Sequence, residues 1–174
     1  MAGVTHDIKT YEYGTKPSLV AYGVGATQQL YTGCVALVSD GNNGTAGYLR
    51  NAYSPHANDL VAGIVGEPAG GTYVKTGPGI LGGSTDGAVQ VDVKTGTFLI
   101  QSGTGSNALS ATTNGKTVYY GGENANGPIA NATNSPSPVV LGTQLPQDPG
   151  LANGFLPGSN YWPIKLNVIG GPVE

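Results

Sequence analysis

The chain has 174 residues, of which 30 are Gly and 12 are Pro, while only 10% are charged and the formal net charge is −3. That much Gly and Pro excludes helices of ordinary length, and the Gly has no three-residue period, so the chain is not collagen-like. Seven Lys and Arg form no basic face for nucleic acid, and no apolar run is long enough for a membrane helix.

Residues 1–16 are polar, with Tyr11 and Tyr13 but little apolar periodicity, and read as an N-terminal arm. In extended form, sixteen residues reach up to about 55 Å. Such an arm either frays or orders against a neighbouring subunit. The start has no basic segment leading into an apolar one, so it does not read as a secretory signal, and manufacture in a cytoplasm is expected.

Residues 17–145 carry the strand signals. Residues 18–22 form the first. Cys34-Val35-Ala36-Leu37-Val38 is continuously apolar and reads as a strand buried on both faces, with residues 46–50 as its return. Leu60-Val61-Ala62-Gly63-Ile64-Val65 follows, with Gly63 marking a bulge. Val89, Val91 and Val93 alternate with polar residues and so share one face. Thr95-Gly96 then predicts a hairpin into Thr97-Phe98-Leu99-Ile100. Residues 117–120, 139–141 and 164–169 complete the set. The expected fold is all-β, a small barrel or sandwich of short strands. Residues 146–174 form a Pro/Gly-rich C-terminal segment with a final strand. Proline is expected only at edges and turns.

No sequence motif fixes a chemistry. Ser110 stands where a P-loop has its first Gly, and Gly115-Lys116-Thr117 leads into a strand where a P-loop opens a helix. Asp40-Gly41-Asn42-Asn43-Gly44 begins like a calcium loop, but Asn51 occupies the twelfth position and turn chemistry explains the rest. His56 and His6 lie in no ligand cluster, so neither a metal site nor a cofactor is expected. Cys34, the single cysteine, reads as a small core hydrophobe. A hydrolase site assembled in space from His56 and distant acids remains open. The aromatic inventory is informative, with 10 Tyr against 2 Phe and 1 Trp. Tyr suits positions that are half buried and half wet, as interfaces are. Tyr11, Tyr13, Tyr161 and Trp162 are therefore candidate interface anchors, or covers for the ends of their own barrel.

Gly33-Cys34-Val35-Ala36-Leu37-Val38, Asp59-Leu60-Val61-Ala62-Gly63-Ile64-Val65-Gly66, Lys94-Thr95-Gly96-Thr97-Phe98 and Gly115-Lys116-Thr117-Val118-Tyr119-Tyr120 follow one another along the chain. This succession, covering roughly residues 33–145, resembles the capsid decoration (cement) proteins of tailed bacteriophages. The resemblance implies a non-enzymatic virion protein on the outer surface of an expanded capsid. Its partners would be the major capsid protein and copies of itself, as a homotrimer. A fibre-type domain binding a host glycan through Tyr161 and Trp162 is the alternative.

Overall fold

A computed structural model describes residues 6–14, 16–70, 77–148, 158 and 160–167. Among these the chain forms thirteen β-strands and two single-turn 3-10 segments, with no α-helix. The all-β expectation holds.

Two sheets carry the architecture. The first contains β9 (Thr97–Ser102), β11 (Gly127–Asn131), β10 (Thr117–Asn124), β12 (Val140–Gln144) and β13 (Tyr161–Leu166), paired in that order. Because β13 also pairs with β9, the five strands close into a ring, a small barrel. The two-residue β1 (Tyr11–Glu12) pairs with the first half of β9, and β11 runs parallel to its second half. The second sheet is open and antiparallel, ordered β2 (Ser18–Gly23), β8 (Gln90–Thr95), β6 (Leu60–Ala69), β4 (Val35–Val38), β5 (Leu49–Asn51). A short ribbon of β3 (Gln29–Leu30) and β7 (Ile80–Leu81) forms a third layer.

Side-chain alternation explains the packing. On β4, Val35 and Leu37 join Phe98, Ile100, Val118, Leu141, Trp162 and Ile164 in a core between open sheet and barrel. Ala36, between them, faces the other way, into a second core with Leu30, Ile80, Val91 and Val93. Strand β4 is thus buried on both faces, as its apolar run required. Gly63 does mark a bulge. The pairing register of β6 on β4 shifts by one there, Gly63 has φ +149°, and a Cβ on it would stand 2.5 Å from the Lys94 carbonyl oxygen.

Two expectations are corrected. Thr95-Gly96-Thr97 does not form a hairpin, because β8 and β9 lie in different sheets. Both edges of β8 are occupied by β2 and β6, so Gly96, at φ +139°, turns the chain out of one sheet into the other. Proline also enters a paired strand, since Pro163 lies opposite Leu99 in β13. A strand residue's N–H and C=O point to the same side. The Pro163 carbonyl accepts from Leu145 N–H, so the missing donor faces β12, whose regular pairing ends at Gln144.

Candidate functional site

The four aromatic anchors divide by strand parity. Tyr11, Tyr13, Tyr161 and Leu99 come together on the outer side of the barrel wall. The Tyr11 and Tyr161 rings meet edge to face with centroids 5.8 Å apart, and the Tyr161 hydroxyl donates to the Asn126 carbonyl at 3.1 Å. Burial, then the neighbouring Tyr11, pushes the Tyr161 pKa up. Trp162, the next residue of β13, points inward and joins the main core. Tyr161 and Trp162 are buried, Tyr11 and Tyr13 half-buried. The described part of residues 1–16 lies on the same body: Ile8 is buried, its N–H donates to the Thr32 carbonyl, and β1 continues onto β9.

The loops after β4 and β5 are joined by a polar network. Arg50 and Asp59 are both buried and form an ion pair. Asp59 also accepts Asp40 N–H at 3.1 Å and His56 N–H at 2.7 Å. Arg50 Nη2 donates to the Tyr53 carbonyl at 2.7 Å, which fixes the loop after β5. Asp40 accepts Asn42 N–H at 2.9 Å, the turn chemistry its sequence called for, and it also contacts the His56 ring. These hydrogen bonds, that of Asn42 N–H foremost, hold the Asp40 carboxyl below the usual range. Among the described residues the His56 ring bonds only Asp40 and Asn42, so no Ser or Cys hydroxyl or thiol is paired with it. His6 is exposed, and among the described residues no group of three His, Cys, Asp or Glu is placed to hold a metal.

The strongest site is one that strand signals alone did not reveal. A cavity of about 240 Å³ opens between β10 of the barrel and the ends of β3, β4 and β5. Leu30, Val35, Ala52 and Val65 give it apolar walls, Tyr31 and Tyr53 flank it, and Glu123 supplies a carboxylate. A β-bulge places that carboxylate there. Tyr120 lies opposite Ala130, but Glu123 lies opposite Pro128, so β10 contains one residue more than β11 between these pairs. The extra residue reverses the alternation, and Glu123 faces inward with Val118 and Tyr120 where a regular strand would turn it outward. Gly121-Gly122 makes this feasible. Gly122 has φ +105°, and a Cβ on Gly121 would stand 2.5 Å from the Asn131 side chain.

Val35 N–H donates to Glu123 Oε1 at 2.5 Å, and Cys34 lines the same pocket. No Lys, Arg or His pairs with Glu123 among the described residues. Desolvation outweighs the Val35 hydrogen bond and raises its pKa to about 7. Burial, then Glu123, pushes the Cys34 thiol far up, so this cysteine stays an inert thiol. The signal in the sequence was the Gly-Gly pair inside an aromatic strand, followed directly by an acid.

The chain matches no protein-family model, no curated protein and no solved structure.

Proposed function

We propose that the protein is a non-enzymatic structural component of a virion, a decoration protein that binds the outside of a phage capsid and bridges neighbouring capsid subunits. The observation that carries this reading is the character of the surface. Leu19, Tyr53, Leu60 and Leu81 are each at least half exposed, on a β body whose chain carries only seven basic and ten acidic residues. Large apolar side chains on a charge-poor surface suit faces that become covered on assembly. Few ions then lose their water when the interface closes. The likeness of residues 33–145 to cement proteins supports the same reading. So does the two-sheet body, which is tied together by packing and ladder hydrogen bonds and needs little rearrangement to dock. Under this reading copies associate, as a homotrimer, and the major capsid protein is the principal partner. The glycan alternative leaned on Tyr161 and Trp162, which are buried in the barrel wall.

The test is reconstitution. Purified protein is incubated with expanded shells that lack it, and the shells are then heated. Saturable binding with a rise in shell disruption temperature supports the proposal, and shells that neither bind nor gain resistance end it.

A further inference from the structure

The geometry points to the cavity at Glu123 as a socket for a lysine side chain presented by a partner protein, the ammonium meeting the carboxylate and the methylene stem lying along the apolar walls. This inference does not depend on the capsid reading, since the chemistry would be the same for any protein partner.

Three observations support it. The first is charge. Glu123 is a desolvated carboxylate with no cation beside it among the described residues. A half-buried, desolvated acid in that condition favours a ligand that brings the missing positive charge. A carboxylate has about four acceptor positions, and Val35 N–H occupies one of them, leaving room for a further donor.

The second is shape. Leu30, Val35, Ala52 and Val65 are almost fully buried behind the cavity wall, which suits the four-carbon stem of lysine. Tyr31 and Tyr53 flank the cavity, and aromatic faces attract an ammonium. Arginine fits less well. Its bidentate fork uses both carboxylate oxygens side by side, and the Val35 N–H already on Oε1 competes with that geometry, whereas an ammonium needs only Oε2. A metal ion is disfavoured because, among the described residues, no group of three His, Cys, Asp or Glu is placed to hold one.

The third is access. Tyr53 is 54% exposed at the mouth, Gln29 is exposed beside it, and Asn51 bridges the two strands of the rim by donating to the Gln29 carbonyl at 3.4 Å. A chain that inserted a lysine would cover Tyr53 as it did so. Arg50 holds the Tyr53 carbonyl, so this wall is fixed before any ligand arrives.

The experiment titrates the full chain at pH 8 with Nα-acetyl-lysine methylamide, followed by amide and methyl NMR shifts. The neutral isostere Nα-acetyl-norleucine methylamide and free butylamine are run in parallel. The lysine derivative is expected to saturate, shift the resonances of residues 31, 35, 53 and 123, and bind at least tenfold more tightly than the norleucine derivative. Glu123→Gln keeps an oxygen for Val35 N–H and should abolish that preference. Tyr53→Ala, at an exposed position, should weaken binding severalfold without unfolding the chain. The inference is overturned if the lysine derivative does not bind, or if norleucine binds equally. It is equally overturned if only butylamine binds, or if Glu123→Gln leaves the preference intact.

Discussion

Asp59 offers a direct test of how the two long loops are held. Its carboxylate takes the Arg50 guanidinium and the backbone amides of Asp40 and His56, and its residue is 2% exposed while Arg50 is 3% exposed. Asp59→Asn keeps a side-chain oxygen for an amide but leaves the Arg50 charge buried and uncompensated. Breaking a buried pair in this way costs about 3–5 kcal/mol. At about 2.1 cal/mol/K per residue, the unfolding entropy of this chain is about 0.37 kcal/mol/K, so the melting temperature should fall by about 8–14 °C. Removing the orphaned charge as well, in Arg50→Met/Asp59→Asn, should restore at least half of that loss, because a buried pair is weakly stabilising compared with an apolar replacement. Calorimetry on the three proteins decides it. A fall of less than about 3 °C for Asp59→Asn, or a double variant no more stable than the single one, would refute the reasoning.

Other substitutions probe the core, the bulges and the pocket. Phe98 is fully buried between barrel and open sheet, so Phe98→Ala should lose about 3–5 kcal/mol in urea unfolding. Gly63→Ala places a Cβ against the Lys94 carbonyl at a φ that L-residues avoid, and should lose about 1–3 kcal/mol by the same assay. Glu123 governs a pH dependence. Its pKa rises from 4.5 in the unfolded chain to about 7 in the fold, so the folded state holds the extra proton between those values. Stability should therefore fall as pH rises from about 4.5 to 7, by at most about 3 kcal/mol. Glu123→Gln should flatten that slope and melt above the wild type at pH 8. A variant with an unchanged slope would show that another group is responsible.

Much of the fold was legible because Gly and the apolar pattern act locally. The alternation of Val89, Val91 and Val93 and the unbroken run at residues 34–38 each declare which faces are buried, and Val91, Val93 and residues 35–37 are buried as declared. What escaped depends on partners distant in sequence. β1, β3 and β7 are two-residue strands defined only by what they pair with. The Thr95-Gly96 turn fits a hairpin locally, and only the prior occupation of both edges of β8 makes it a corner between sheets. The pocket was hidden for the same reason. Glu123 follows two glycines, and by simple alternation it would face away from Val118 and Tyr120. The direction of its side chain is set by a one-residue mismatch with β11, visible only once the pairing is known.

That mismatch bears on why the acid is there. In a chain where only 10% of residues are charged, glutamate is a poor choice for an apolar pocket if packing is the sole requirement. Glutamine would accept the same Val35 N–H without the desolvation that raises the Glu123 pKa. The fold tolerates an unpaired carboxylate at neutral pH, where it lowers stability, and supplies a bulge to aim it inward. A ligand that brings a cation reverses the effect. At a hundred times its dissociation constant it adds about 2.7 kcal/mol, close to the upper limit of what ionising Glu123 removes. The wild type at pH 8 with saturating Nα-acetyl-lysine methylamide should then melt near its own ligand-free temperature at pH 5, while Glu123→Gln should show little response to either pH or ligand. A ligand-induced rise of equal size in both proteins would separate the binding from the carboxylate and remove the reason for the acid.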